Sequence, residues 1–328
     1  MMSMAFVFKI IKLLRIFFLF ISCLGYILFL SKKIKAEFTI GILFSSISCL
    51  IFLGGLLNIL SFVAILIFII GIALFFMEVY KYSKATVGKS ESHLLNLPLS
   101  SGYCFFFFSA FYFIILLYGL KFVHYDNFSH WGLVARFISS TDRFPSFKDP
   151  LIAFQSYPLG SASFIYYLSK ISGIYTEWFF MYAQSLLMIG LSLGLFAFVN
   201  KKYALFFSIS VIILLCSNIN FIDILVDTLL PVASIGGFSY CLWCHVNSKS
   251  ENYYFLLAPY LVFLAAIKSS GLLFSLLLIL FASPALFRLK AGRIKLLSTF
   301  VSPFFFSYGR NTSIWFFSMG NHRSILLI

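Results

Sequence analysis

The chain has 328 residues, of which 62% are hydrophobic and only 10% are charged, and its mean hydropathy is +1.02. Soluble domains carry roughly 25% charged residues, so this composition excludes a water-exposed globular domain. In a soluble chain, the net charge of +14 would suggest a nucleic-acid partner. In a membrane protein, the excess of lysine and arginine in cytoplasmic loops explains most of this charge, and we expect no nucleic-acid partner.

Long apolar runs recur along the chain, and about 20 such residues are needed to cross a hydrocarbon core about 30 Å thick. In chain order they predict spans near residues 10–30, 38–57, 60–80, 102–121, 174–199, 203–218, 229–246, 252–267, 271–287 and, more weakly, 296–308. Nothing resembles the alternating, roughly 10-residue segments of an outer-membrane barrel. The predicted fold class is all-α: a polytopic integral membrane helical bundle with about 9–10 transmembrane helices and an outer loop that carries interfacial helices.

The chain divides into N-terminal transmembrane helices at 1–100, a membrane core at 101–295 with the outer loop 122–173, and a short tail at 296–328. The first helix is not interpreted as a signal peptide, because "SKKIKAE" follows it where a small-residue cleavage site would stand. Gly54, Gly55, Asn58 and Ser61 predict a tight hairpin between the second and third spans.

Lysine and arginine bias in the loops predicts the orientation. Thirteen basic residues fall in the loops 31–37, 81–100, 200–202, 247–251 and 288–295, which we assign to the cytoplasm. The connections 122–173, 218–228 and 268–270 then face outward, and with Lys121 and Glu177 at their edges this side carries six bases and six acids. This scheme places residues 1–9 outside, so either the first helix lies in the interface plane or the rule is broken locally. The chain is expected in the plasma membrane.

The stretch "HYDNFSHWGLVARF", residues 124–137, concentrates polar groups in the longest outward connection. Asp126 and His130 are four residues apart and are expected to share one face of a short helix that continues through Trp131 and Arg136. The following "IAFQSYPLGSASFIYYLSK", which contains Tyr157, is amphipathic and interrupted by proline, and we predict that it lies on the membrane surface. Ionisable groups at a membrane edge favour a functional role because their burial is costly, although a solvated loop is the alternative.

Two further features lie on outward connections. Asp223 and Asp227 are four apart in "NINFIDILVDTLLP", so their mutual repulsion favours a nearby cation, unless both simply stabilise a helix N-terminus. Lys268, in "FLAAIKSSGLLF", is flanked by apolar residues, and a lipid phosphate bound with help from Ser269, Ser270 and the backbone near Gly271 is one candidate partner. A snorkelling lysine without a ligand is the other.

The motifs "YDNFSHWG", "FP", "YPLG" and "IKSSGLLF" resemble those of the bacterial C-type glycosyltransferase superfamily (GT-C), in the group of the protein mannosyltransferases and the lipid A aminoarabinose transferase. The resemblance covers roughly residues 100–290. It implies transfer of a sugar from a polyprenyl-phosphate donor to an extracytoplasmic acceptor glycan or lipid. By the same resemblance, Asp126 would be the general base or orienting carboxylate, Lys268 and Arg136 would hold the donor phosphate, and Asp223 or Asp227 would contact sugar or acceptor. His130 and Tyr157 complete the expected substrate-binding set.

Other function classes remain open from the sequence: a polysaccharide polymerase, a lipid-linked sugar transporter, or a truncated, non-catalytic membrane protein. "CLWCH", with Cys241, Cys244 and His245, has the spacing of c-type haem attachment, but our orientation places His245 at a cytoplasmic end. No cofactor is expected, and a divalent metal has no support in the sequence. The expected partners are the polyprenyl-phosphate-linked sugar, membrane lipids and the acceptor.

Overall fold

The structure, a computed structural model, describes residues 4–86, 100–146, 149, 151–152, 157–218, 223–247 and 252–288. The predicted span at 296–308 and the tail at 296–328 lie outside the described residues. Within these ranges all regular structure is helical. The α-helices are α1 (Met4–Ser31), α2 (Ala36–Leu56), α3 (Leu60–Thr86), α4 (Ser101–Leu117), α5 (Tyr125–Ser129), α6 (Trp131–Thr141), α7 (Gly160–Ser172), α8 (Glu177–Ser192), α9 (Ala204–Asn218), α10 (Val226–Asn247), α11 (Asn252–Phe255), α12 (Ala258–Ile267) and α13 (Gly271–Arg288).

Five helical segments are long and apolar enough to cross a membrane: Lys9–Ser31, Ala36–Leu56, Leu60–Lys84, Glu177–Phe198 and Val226–Asn247. The last turns of the fourth are a 3₁₀-helix, Leu193–Phe198. The apolar segments Ser101–Leu117, Tyr253–Ile267 and Gly271–Ser283 are shorter. The chain is therefore an all-α, polytopic membrane protein, as its composition predicts, but several of the predicted spans correspond to helices of less than full crossing length.

Helices α1 and α3 run side by side in the same direction. The hydroxyl of Ser22 donates to the Phe68 carbonyl at 3.0 Å, and that of Tyr26 donates to the Ile67 carbonyl at 2.8 Å. A Cβ on Gly25 would lie only 2.1 Å from the Gly71 carbonyl oxygen, so the two backbones touch. Helix α1 thus passes along the bundle rather than across its end. This position favours a first helix that crosses the membrane over one in the interface plane, and the side that residues 1–9 face stays a prediction.

The predicted hairpin between the second and third spans is confirmed. Helix α2 ends at Leu56, and Asn58 adopts a left-handed conformation with φ 58° before α3 begins at Leu60. Asparagine is one of the few residues other than glycine that enters this region readily. A Cβ on Gly55 would lie 2.2 Å from the Phe144 ring. The absence of a side chain at this position therefore lets the segment after α6 pack against the end of α2.

The prediction that the "SYPLGSASFIYYLSK" stretch lies on the membrane surface is wrong for its helical part. Helix α7 is buried inside the bundle, where it packs on α2, α6 and α8. Phe164 is fully buried, with its ring centroid 4.8 Å from that of Phe44 in α2. The serines that make the helix look amphipathic are buried as well, and Ser163 donates its hydroxyl proton to the Leu159 carbonyl at 2.8 Å. A hydroxyl bonded to its own helix can be buried at little cost.

Contacts divide the connections into two sets at opposite ends of the bundle. At one end Lys35 donates to the Ala197 carbonyl at 2.5 Å, and the rings of Phe38 and Trp243 lie 5.5 Å apart. At the other end, which we call the α5–α6 end, residues 122–146 and 157–160 meet the connections after α2, before α10 and after α12. This division of the described connections is the one that the basic residues predict. The side of the membrane that each end faces stays a prediction.

Candidate functional site

The helix predicted to carry both Asp126 and His130 is broken between them. Helix α5 ends at Ser129, His130 has φ −147° and ψ −74°, and α6 begins at Trp131. The Asp126 side chain is 48% exposed, whereas His130 is 2% exposed. The prediction of one continuous helix is therefore wrong, and the break turns the carboxylate outward and the imidazole inward.

Asn127 joins the α5 turn to the connection before α10. Its Nδ2 donates to Oδ1 of Asp223 at 2.9 Å, and its Oδ1 accepts a hydrogen bond from the backbone N–H of Ile224 at 3.1 Å. Asn127 and Asp223 are 1% and 4% exposed. A buried carboxylate and a buried amide satisfy each other here, as buried polar groups must. Asn127 was absent from the residues predicted from the sequence, because the sequence did not indicate which side chain of the Asp-Asn pair faces inward.

Asp227 and Lys268 form an ion pair, with Oδ1 and Nζ 2.5 Å apart. The sequence predicts a cation near the two aspartates, and this cation is Lys268. The sequence also suggests an anion near Lys268, and this anion is the Asp227 carboxylate rather than a lipid phosphate. Three backbone N–H groups at the start of α13, those of Gly271, Leu272 and Leu273, already donate to the carbonyls of residues 268–270. These amides are therefore not free to hold a phosphate in the way that the sequence suggested.

His130 and Tyr157 meet in an aromatic group beside these residues. The imidazole centroid is 4.5 Å from the nearest Trp131 ring centroid and 5.3 Å from that of Tyr157. Burial lowers the pKa of His130 from its ordinary value to about 4, and Asp126 opposes that shift only in part. The imidazole is therefore neutral at pH 7.

Tyr157 leads into α7, and the start of α7 contacts the end of α12, the helix that Lys268 follows. A Cβ on Gly160 would lie 2.7 Å from the carbonyl oxygen of Ala266, near the end of α12. Four distant chain segments therefore meet at the α5–α6 end. We call the converging residues the rim cluster: Asp126, Asn127, His130, Tyr157, Asp223, Asp227 and Lys268.

Arg136 lies in a different place from the rim cluster. Its guanidinium is paired with the Glu177 carboxylate, and the two side chains border a cavity of about 860 Å³ between α6, α7 and α8. Twelve residues line this cavity: Lys121, Leu133, Arg136, Phe137, Ser139, Ser140, Asp142, Lys170, Tyr175, Thr176, Glu177 and Phe180. None of the rim cluster is among them. Of the predicted site residues, Arg136 alone borders this cavity.

The remaining candidate ligands offer no metal site among the described residues, since no three of their His, Cys, Asp and Glu side chains are grouped to hold an ion. Cys241 and Cys244 are buried. The imidazole of His245 is engaged by the Tyr254 hydroxyl and the Phe281 carbonyl, each at 2.8 Å. The surroundings of "CLWCH" are thus those of a packed helix end.

Comparison of the chain with protein-family models, with curated proteins and with solved structures gives no match. A functional assignment therefore has to come from the site itself.

Proposed function

We propose that this protein is an integral membrane glycosyltransferase of the plasma membrane, which moves a sugar from a polyprenyl-phosphate donor to an extracytoplasmic acceptor glycan or lipid. The observation that carries the proposal is the convergence of the rim cluster. It combines an exposed carboxylate, a buried carboxylate and a lysine at one end of an apolar bundle, where a lipid-linked substrate would present its phosphate and sugar.

Asp126 is the group best placed to accept a proton from an acceptor hydroxyl. Its carboxylate is half exposed, so an acceptor can reach it, and its Oδ2 lies 3.7 Å from Nδ1 of His124. The neighbouring imidazole of His130 is neutral at pH 7, so it does not compete for the carboxylate as a cation would. A carboxylate at an apolar surface can act as the general base for an alcohol.

Lys268 is the group best placed to face the leaving phosphate. The Lys268 side chain is 32% exposed, and its partner carboxylate on Asp227 is 69% exposed, so the pair can open toward a ligand. In the proposed reaction the acceptor oxygen forms a bond to the anomeric carbon while the bond from that carbon to the phosphate oxygen breaks. The bonding electrons pass to the phosphate, where an ammonium stabilises the charge, and the hydroxyl proton passes to Asp126.

Asn127 and Asp223 have a positioning role in this scheme. Their buried hydrogen bond fixes the α5 turn, and hence Asp126, against the start of α10. Asp227, four residues after Asp223, is carried on the same helix start. A sugar bound between Asp126 and Lys268 would therefore lie beside both aspartates of this connection.

The proposal is tested by replacing the gene in the cells that make this protein and profiling their envelope glycans and lipids by mass spectrometry. We expect Asp126→Asn and Lys268→Ala to reproduce the glycan profile of a deletion, since loss of a general base alone costs roughly 10²–10⁴ in rate. Asp149→Asn and Lys33→Ala are matched controls, because they remove the same kinds of charge away from the rim cluster.

Membrane fractions must contain comparable amounts of each variant. If Asp126→Asn and Lys268→Ala are inserted normally and the glycan profile matches that of the wild type, the glycosyltransferase proposal is wrong. If the deletion itself leaves the profile unchanged, the same conclusion follows.

A further inference from the structure

The cavity between α6, α7 and α8 has an unusual lining for a membrane protein. Its wall contains the cations Lys121, Arg136 and Lys170 and the carboxylates Asp142 and Glu177. Charged groups at a membrane edge are costly to retain and therefore indicate a function. The rim cluster makes no contribution to this lining, so the cavity calls for its own explanation.

The charges of the lining do not cancel. Arg136 is paired with Glu177, and Lys170 with Asp142 at 2.5 Å. Among the described residues no carboxylate pairs with Lys121, so the lining retains one positive charge. A ligand that neutralises the cavity would carry a single negative charge.

The carboxylates of both ion pairs accept further hydrogen bonds. Oε2 of Glu177 accepts a hydrogen bond from the backbone N–H of Phe122 at 2.5 Å, and Oδ1 of Asp142 accepts one from the Tyr166 hydroxyl at 2.7 Å. The carboxylates are thus occupied by internal donors, and Lys121 is the cation of the lining that has no carboxylate partner among the described residues.

The size and remaining polar groups favour an ester over a bare ion. A volume of about 860 Å³ falls in the range of pockets that enclose a small organic molecule, roughly 300–1,000 Å³. Ser140, Tyr175 and Thr176 add hydroxyl groups to the wall. Ser139 adds another, whose buried Oγ has no hydrogen-bond partner among the described residues.

Aromatic side chains typical of a membrane interface occur in the lining and next to it in the chain. Tyr118 is 73% exposed, and its ring centroid lies 5.1 Å from that of Trp178, the residue after Glu177. Tyr175, in the lining itself, is 48% exposed. Tyrosine and tryptophan collect at the level of lipid head groups. A ligand anchored in the bilayer could therefore reach the cavity from the side.

From these observations we infer that the cavity binds the phosphodiester head group of an anionic lipid, with Lys121 as the residue that contacts the phosphate. A phosphodiester carries one negative charge, which matches the uncompensated ammonium, whereas a phosphomonoester carries roughly −1.5 to −2 at pH 7. This site is separate from the rim cluster, and the inference stands or falls independently of the proposed glycosyl transfer.

The test uses the purified full chain, stripped of lipid in detergent micelles, and native mass spectrometry to follow bound lipid. The probes are phosphatidylglycerol, zwitterionic phosphatidylcholine, and phosphatidylglycerol in competition with millimolar inorganic phosphate. We expect the wild type to retain phosphatidylglycerol in preference to phosphatidylcholine. Lys121→Ala should weaken phosphatidylglycerol binding about tenfold, as expected for the loss of a charged hydrogen-bond donor, and Lys121→Arg should retain it.

Two control variants locate the effect. Lys33→Ala removes an exposed lysine at the opposite end of the bundle, and Lys268→Ala removes the lysine of the rim cluster. Both should bind phosphatidylglycerol as the wild type does. Equal binding of the two lipids, or loss of binding in Lys268→Ala but not in Lys121→Ala, would overturn the inference. If inorganic phosphate displaces phosphatidylglycerol, the cavity recognises free phosphate and the lipid part of the inference is wrong.

Discussion

The buried imidazole of His130 makes the stability of the protein depend on pH in a defined window. Its pKa in the folded chain is about 4, against an ordinary value near 6.5, because burial disfavours the charged ring. The unfolded chain therefore binds more protons between these values, and the free energy of unfolding falls as pH falls below about 6.5. The stabilisation is fully present above that pH and is lost toward pH 4.

The magnitude follows from the two pKa values. Between pH 7.5 and pH 5.0, the linkage relation gives a loss of about 2 kcal/mol in the free energy of unfolding from this residue. Since chains of this size change their Tm by a few degrees per kcal/mol, the loss corresponds to roughly 4 °C in Tm. Thermal unfolding in detergent micelles, followed by circular dichroism at both pH values, measures the loss. Other groups titrate as well, so the informative quantity is the difference between the wild type and His130→Phe.

His124→Gln is the matched control, because His124 lies in the same turn and its side chain is 44% exposed. We expect the control to lose stability like the wild type, and His130→Phe to lose about 2 kcal/mol less. If His130→Phe and the wild type lose the same amount between pH 7.5 and pH 5.0, the burial argument for this imidazole is wrong.

Three further predictions concern other contacts. Asn127→Ala should lower the free energy of unfolding by about 2–5 kcal/mol, because Asp223 and the Ile224 N–H both lose a buried partner, and thermal unfolding measures it. Gly160→Ala should lower the free energy of unfolding by about 1–3 kcal/mol in the same assay, because the new Cβ would lie 2.7 Å from the Ala266 carbonyl oxygen. Gly119→Ala is the control: it has no atom within 4 Å but a φ of +79°, so it should lower the free energy of unfolding only by the backbone strain of about 1 kcal/mol. Equal losses in the two variants would contradict the crowding argument. In intact cells a membrane-impermeant maleimide should label Ser269→Cys above the background of the parent chain and should not label Lys202→Cys; the reverse pattern would place the rim cluster in the cytoplasm.

The helices are the most predictable part of the fold, because a helix that crosses the hydrocarbon core needs a run of about 20 apolar residues, and such runs are visible in the sequence. Predicted spans at 38–57, 203–218 and 271–287 correspond to α2 (Ala36–Leu56), α9 (Ala204–Asn218) and α13 (Gly271–Arg288). The division of the loops into two ends was also predictable from charge alone. Neither inference needs knowledge of side-chain packing.

Burial of α7 could not be predicted from its pattern of hydrophobic and polar residues. Ser161, Ser163, Ser169 and Ser172 suggest a polar face, yet all four are buried. Short hydroxyl side chains can bond to the preceding turn of their own helix, so they count as polar in a pattern and behave as small residues in packing. The inward turn of Asn127 and the pairing of Arg136 with Glu177 depend likewise on tertiary contacts. The predicted roles of Asp126 and Lys268 stay predictions.

The burial of α2 by later helices, α7 among them, has a consequence for biogenesis. Helix α2 is almost entirely covered in the finished protein, and the helices that cover it include α7, α8 and α12. All three lie more than a hundred residues further along the chain, so α2 leaves the ribosome long before these three helices exist. During synthesis its surface must first be shielded by lipid or by an insertion factor, and that shield must be exchanged when the later helices arrive.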